Sequence, residues 1–136
     1  MASNERTLCR SLIAIVAIHF LVVIWHGVAH VNVPVPLSAA QTAFITIVIV
    51  LLPLIGAALL WTSRKSLAAW LIMLSMLASL LFGFINHFAL DSPDYVVELP
   101  ANAWRYPFVL SAALLVVTET IGTVLGAVAT YVWGRS

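Results

Sequence analysis

Three histidines lie within one apolar run near the start of the chain. The run covers residues 11–31, reads SLIAIVAIHFLVVIWHGVAHV, and contains His19, His26 and His30. An α-helix advances about 100° per residue, so steps of seven and of four residues place these imidazoles on one face. A polar face on an apolar helix that is long enough to cross a bilayer must contact protein rather than lipid. We therefore expect this face to line the place where the chemistry of the protein occurs.

A second pair of potential ligands lies at the end of a later apolar run. His87 and Asp91 are four residues apart, as are His26 and His30, and a helix places such pairs one above the other. Glu98 follows in the next connection and is a further candidate ligand. Imidazoles together with a carboxylate suit Fe, Cu or Zn better than Ca or Mg. These five residues therefore predict a transition-metal site.

Other polar side chains are expected at the same level as this site. A metal-bound imidazole usually donates its second N–H to a neighbouring acceptor. Asp94 could complete the coordination or accept such a hydrogen bond, and Gln41, Asn86 and Tyr95 are candidate cofactor-contacting residues. The alternative is that the histidines bind only loop carbonyls and hold no ion.

Two ionisable residues are expected deeper in the membrane. His19 lies about 16 Å below His30 along the first helix, and Glu119 reaches a similar depth in the last apolar run. An ionisable group at that depth is costly unless it is paired or protonated, and it is often functional. We predict that His19 and Glu119 are catalytic or relay protons. The alternative is one structural hydrogen bond between the first and last helices.

Composition identifies the class of protein. The chain has 136 residues, of which 63% are hydrophobic and 8% are charged, whereas soluble domains carry about a quarter charged residues. The net charge of +1 gives no reason to expect a nucleic-acid partner, and Cys9, as the only cysteine, excludes an intramolecular disulfide. Arg6 and Arg10 before an apolar run are also typical of a signal peptide. That run is at the long limit for one, so we expect a retained membrane helix.

The apolar runs predict an all-α integral membrane protein. We expect one domain, 1–136, in which two helical hairpins form a four-transmembrane-helix bundle with spans at about 8–31, 38–61, 67–90 and 103–133. Ser92 and Pro93 fit an N-cap and a first helical position, which predicts a short interfacial helix between the third and fourth spans.

The distribution of positive charge predicts the orientation. One side of the bundle carries Arg6, Arg10, Arg64, Lys65 and Arg135, and the other carries only Arg105. The positive-inside rule then places both termini in the cytoplasm and the metal site at the outer face. The expected location is a bacterial cytoplasmic (inner) membrane, with the lipid bilayer as the partner of the apolar surface.

Four functions remain open. The leading one is a membrane metal protein with its site at the outer end, as a metal-dependent oxidoreductase or an electron-transfer subunit. A haem b held between His26 and His87 is the second. Proton or metal-ion transport along the ionisable side chains is the third. The last is a structural subunit of a larger complex or a homodimer, for which Gly122-x-x-x-Gly126 offers a packing surface.

Overall fold

The protein is an all-helical bundle without strands in the part of the chain that the structure describes. The computed structural model describes residues 3–135, with side chains from residue 4 onward. The helices are α1 (Ser3–Asn32), α2 (Ala39–Phe44), α3 (Leu52–Leu59), α4 (Lys65–Phe84) and α5 (Arg105–Trp133). Two π-helical segments, π1 (Ile45–Leu51) and π2 (Ile85–Ala89), continue α2 into α3 and extend α4.

Together these elements form four continuous helical rods, and each is long and apolar enough to cross a membrane. They are Asn4–Asn32, Ala39–Leu59, Lys65–Ala89 and Arg105–Trp133. The predicted all-helical class and the four apolar helices are thereby confirmed, with ends that mostly agree within a few residues. Large apolar side chains cover the outside of the bundle; Leu21, for example, is 66% exposed. Such a surface matches hydrocarbon rather than water.

The end of the bundle opposite the chain termini, here called the distal end, contains the last turn of α1 and the beginning of α2. At this end, Ser38 and Gln41 form a capping box that starts α2: the Ser38 hydroxyl accepts from the Gln41 backbone N–H at 3.2 Å, and the Gln41 side chain accepts from the Ser38 N–H at 2.9 Å. This explains Gln41, which was a candidate cofactor contact, as a helix-capping residue.

The predicted interfacial helix is absent from the connection between π2 and α5, which forms turns instead. The Ser92 hydroxyl oxygen lies 2.6 Å from the Asn86 carbonyl oxygen and 2.8 Å from Asp94 Oδ1, so these two acceptors share its one hydrogen. The hydroxyl of a serine N-cap accepts a hydrogen bond from a backbone N–H, whereas in these contacts the Ser92 hydroxyl is the donor. The connection is thereby folded back over the end of π2.

The helices do not pack as two separate hairpins. The most extensive contact is between α4 and α5, and α1 packs mainly against α5. The second rod packs on α4 and touches α1 chiefly through α3, at the proximal end. At the distal end, α2 and π1 therefore make few contacts with α1.

The interior is apolar at the proximal end and more polar at the distal end. The proximal core includes Leu12, Val16, Ile72 and Met76, all at most 2% exposed. At the distal end, Phe108 is fully buried among smaller apolar side chains. Three of the four buried histidines lie beside Phe108, so the fold positions a polar cluster inside an otherwise apolar bundle.

Candidate metal centre

Three buried histidines from two helical rods meet at the distal end. His26 and His30 come from α1 and His87 from π2, and one nitrogen of each lies within 4.8 Å of the others. The three side chains are at most 8% exposed. Nitrogen donors of this kind bind Zn, Cu, Fe and Ni. The cluster, here called the histidine triad, could therefore hold a metal ion.

The closest approach in the triad is between two Nε2 atoms. The Nε2 of His26 lies 3.2 Å from the Nε2 of His87. Two imidazoles bound to one ion at about 2.0–2.1 Å and at a tetrahedral angle would have their nitrogens roughly 3.3–3.4 Å apart. Opposite axial ligands of a haem iron would be roughly 4 Å apart with the porphyrin between them. The observed separation is close to the value for two imidazoles on one ion and is shorter than the value for two axial haem ligands.

The second nitrogen of His26 is held by α5. Its Nδ1 lies 2.9 Å from the Ser111 hydroxyl, which also lies 2.8 Å from the Pro107 carbonyl and 3.0 Å from the Phe108 carbonyl. When the hydroxyl donates to a carbonyl, it accepts from the Nδ1–H of His26. That tautomer leaves a lone pair on Nε2, which is the state that metal binding requires.

The second nitrogen of His87 is held by the connection before α5. Its Nδ1 lies 3.2 Å from Asp94 Oδ2 and 3.2 Å from the Asp94 backbone oxygen. Both are acceptors, so Nδ1 carries the hydrogen and Nε2 offers its lone pair. Burial favours the protonated acid and so raises the pKa of Asp94, but hydrogen bonds from His87 and Ser92 outweigh burial and lower that pKa to about 2.

These partners place the Nε2 atoms of His26 and His87 in one of two states. If Ser111 donates to a carbonyl, two lone pairs face each other at 3.2 Å and need a cation or a proton between them. If Ser111 donates to His26 instead, the Nε2–H of His26 donates to His87 and the rings form a neutral hydrogen bond. A metal ion selects the first state.

Phe108 forms one wall of the triad. Its ring centroid lies 4.7 Å from those of His26 and His30 and 5.3 Å from that of His87. Because Phe108 is fully buried in the first turn of α5, it fixes the position of all three imidazoles. Neither Phe108 nor Ser111 belongs to a recognisable sequence pattern, although both lie on the inward face of α5, three residues apart.

The structure does not bring the predicted ligands Asp91 and Glu98 into the cluster. Both are exposed. The helix ends at Ala89, and Leu90 is extended with φ −104° and ψ 146°. Asp91 therefore does not lie one helical turn above His87, and the spacing of four residues loses its meaning. Asp94 instead provides the carboxylate at His87.

Two further candidates support the site only indirectly. Asn86 donates its side-chain N–H to the Phe82 carbonyl at 2.8 Å, and its backbone carbonyl accepts from Ser92. Tyr95 donates its backbone N–H to the Ser92 carbonyl at 3.0 Å. Both residues therefore contribute to the turn that presents Asp94, and neither side chain belongs to the triad.

The deeper pair, His19 and Glu119, is buried as expected but does not meet. His19 Nε2 donates to the Ile49 carbonyl of π1 at 3.3 Å. Glu119 accepts a hydrogen bond from the Ser79 hydroxyl of α4. No ion pair joins the two within the described residues. Each thus links its own helix to a different neighbour, so these two residues do not form the hydrogen bond between the first and last helices that was the alternative expectation.

A cavity connects the triad with Glu119. It has a volume of about 260 Å³ and lies between α1, π1, α4 and α5. All three histidines and Asp94 line one part of it, and Ser79 and Glu119 line another. Within the described residues, the buried atoms His30 Nδ1 and Glu119 Oε2 have no hydrogen-bond partner. His19 does not reach this space.

Comparison of the chain with protein-family models, with curated proteins and with solved structures finds no match. The fold and the site therefore define the class by themselves: a bundle of four helices apolar enough to span a membrane, with a buried histidine cluster that could bind metal.

Proposed function

We propose that this protein is an integral membrane metal-binding protein whose ion is held by His26, His30 and His87. The observation that carries the proposal is the approach of two imidazole Nε2 atoms to 3.2 Å, while their Nδ1 atoms are held by Ser111 and Asp94. Acceptors at the second nitrogen orient metal-bound histidines and favour the tautomer that binds metal; Asp94 is such an acceptor for His87, and Ser111 can act as one for His26. The ion is Zn, Cu or Fe, which are the metals that three imidazoles favour.

We extend the proposal to a reactive rather than a structural ion. Structural zinc sites use four protein ligands, whereas catalytic sites use three and keep one position for water or substrate. The triad supplies three ligands, and all three line the cavity. A small molecule in the cavity can therefore reach the remaining position. With Cu or Fe, this arrangement supports a metal-dependent oxidoreductase or an electron-transfer subunit.

The alternatives receive less support from the geometry. Haem b between His26 and His87 conflicts with their 3.2 Å separation. Transport would need a polar path to the proximal end, where the described core is apolar. A dimer seam at Gly122 and Gly126 is disfavoured because added Cβ atoms there would contact Met76 and Met73 of the same chain.

Elemental analysis and an absorption spectrum of the gently purified full chain test the proposal. We expect about one equivalent of Zn, Cu or Fe and no Soret band. The variants His26→Gln, His30→Gln and His87→Gln should each lose most of the metal. The matched control is His19→Gln, because His19 is an equally buried histidine of the same helix outside the triad.

Two outcomes would overturn the assignment. One is a Soret band, which would establish haem. The other is a metal content that is the same in the three triad variants as in His19→Gln and the wild type, because the ion would then bind elsewhere.

A further inference from the structure

The cavity beside the triad opens on the apolar surface of the bundle. Its lining includes Gly27 and Val31 of α1, and Val31 is 80% exposed. Gly27 is also exposed, and a Cβ added there would meet no atom within 4 Å. The facing rim includes Ile45 and Ile49 of π1, a segment that makes few contacts with α1. The opening therefore lies between α1 and π1, on a surface that would face lipid.

The inner end of the cavity carries one polar group without a partner. Glu119 is 2% exposed, and Ser79 engages only its Oε1. Glu119 lines the cavity, and its Oε2 is buried and has no hydrogen-bond partner within the described residues. Leaving a buried polar atom unsatisfied is unfavourable, so a ligand that pairs with it gains affinity. Whether this oxygen donates or accepts, a hydroxyl group can pair with it.

The size and lining restrict the occupant. An engineered cavity of about 150 Å³ binds one benzene molecule, so a cavity of 260 Å³ admits one substituted ring. The walls are mainly apolar and include Phe82, Ile49 and Leu115. Ser111, which contacts His26, lies eight residues before Glu119 along α5, and Ser79, which contacts Glu119, lies eight residues before His87. Eight helical residues separate the triad from Glu119 by about 12 Å. A ring with a polar end spans much of that distance.

We infer that the cavity binds a small phenol-type molecule from the bilayer, which enters between α1 and π1 and forms a hydrogen bond through its hydroxyl with Glu119 Oε2. Membrane partitioning concentrates such a molecule at the opening, and the apolar walls bury its ring. The hydroxyl partner in this site, Glu119, is not a ligand of the proposed ion, although the triad lines another part of the same cavity. The inference therefore goes beyond the proposed metal function and does not depend on it.

Fluorine NMR on metal-free protein in lipid nanodiscs tests the inference. The probes are 4-fluorophenol and 4-fluorotoluene, which share ring and size but differ in the hydroxyl. Empty nanodiscs give the baseline for partitioning into lipid. We expect saturable binding of 4-fluorophenol that is roughly tenfold tighter than that of 4-fluorotoluene, because only the phenol satisfies the Glu119 oxygen.

Two variants locate the site. Gly27→Leu should abolish binding by filling the opening, whereas the matched control Gly27→Ala should retain it, since the space around Gly27 accepts a methyl group without contact. Glu119→Leu removes the polar atom, so it should reduce the preference for phenol over toluene to about one. This ratio is insensitive to any change in cavity volume that the substitution causes.

The inference is overturned if neither probe binds above the lipid baseline, if wild-type protein binds both probes equally, or if Gly27→Leu binds as tightly as Gly27→Ala. Metal content is measured separately on protein that has not been stripped. A failure of probe binding with one equivalent of metal present would therefore count against the cavity ligand alone, and loss of the metal site would leave the probe result unaffected.

Discussion

Asp94, rather than Asp91, is the carboxylate that matters at His87. It accepts from the imidazole Nδ1–H at 3.2 Å, and Ser92 holds its other oxygen at 2.8 Å. This arrangement fixes both the tautomer and the direction of His87 Nε2. The acid thus acts on the proposed ion through the imidazole, without coordinating it.

Replacement of Asp94 by asparagine should weaken metal binding by about 10- to 100-fold, the usual effect of losing a carboxylate behind a metal-bound histidine. The amide keeps the size of the side chain but removes its charge. Competition with a chromophoric chelator measures the change. Asp91→Asn is the matched control, because Asp91 is exposed, and it should bind metal like the wild type. Equal weakening in both variants would contradict the role of Asp94.

The factor by which Asp94→Asn weakens metal binding should also be the same at every pH between 6 and 8. The folded pKa of Asp94 is about 2, so the carboxylate is ionised throughout the range from pH 6 to pH 8 in which binding is measured. A carboxylate with a lowered pKa has its full effect on metal binding at pH values well above that pKa, and it loses this effect only as pH falls towards 2. A ratio of wild-type to variant affinity that shrinks between pH 8 and pH 6 would show that Asp94 titrates there.

At the scale of single residues, the sequence predicted which imidazoles form the site but not which groups form hydrogen bonds with them. His26 and His30 were predictable because α1 is a regular helix, in which a spacing of four residues has a fixed meaning. Asp91 was not, because the helix ends between His87 and Asp91, and nothing in the spacing marks that end. The contact of Ser111 with His26 joins residues 85 positions apart and follows only from packing.

At the scale of the elements, helix lengths were predictable and helix irregularities were not. Length follows from counts of apolar residues. A π-helical segment adds a wider turn without changing hydropathy, so π1 and π2 leave no trace in the pattern. Both nevertheless contribute to the site, since π2 carries His87 and π1 presents the Ile49 carbonyl to His19. π-Helical turns are frequent at functional sites for this reason.

Because α4 packs closely on α5, replacement of Gly126 by alanine should destabilise the protein more than replacement of Gly122 or Gly27. A Cβ at Gly126 would lie 2.8 Å from the Met73 Cα, which is backbone and cannot turn aside. At Gly122 it would meet only the flexible side chain of Met76, at 3.0 Å or more, and at Gly27 it would meet nothing. Overpacking of this kind costs about 1–3 kcal/mol.

The unfolding temperature of each variant in detergent measures this order of stability. We expect Gly126→Ala to unfold at a clearly lower temperature than the wild type, Gly122→Ala to show a smaller decrease, and Gly27→Ala to show none. The metal content of folded Gly126→Ala protein should remain unchanged, because the triad lies at the other end of α5. Equal stability of the three variants would mean that α4 and α5 are not in direct contact at Gly126.

At the scale of the molecule, the sequence predicted four apolar helices but not their arrangement. Hydropathy identifies each helix separately and contains no information about which neighbours touch. At the distal end, π1 makes few contacts with α1 because the second rod packs on α4 instead. The cavity, and with it the access to the triad, is a consequence of this arrangement. Glu119 was predictable as a buried ionisable residue, but its contact with Ser79 was not.

The proposed orientation places the distal end, with the triad, on the outer side of a bacterial inner membrane. It rests on the excess of Arg and Lys at the proximal end. Single cysteines test it in a Cys9→Ala background: Glu98→Cys in the distal connection and Ser63→Cys in the proximal one, at positions that are both exposed. A membrane-impermeant maleimide on intact spheroplasts should label Glu98→Cys, and should label Ser63→Cys only after lysis. The reverse pattern would place the triad on the cytoplasmic side and leave the four-helix fold and the metal assignment untouched.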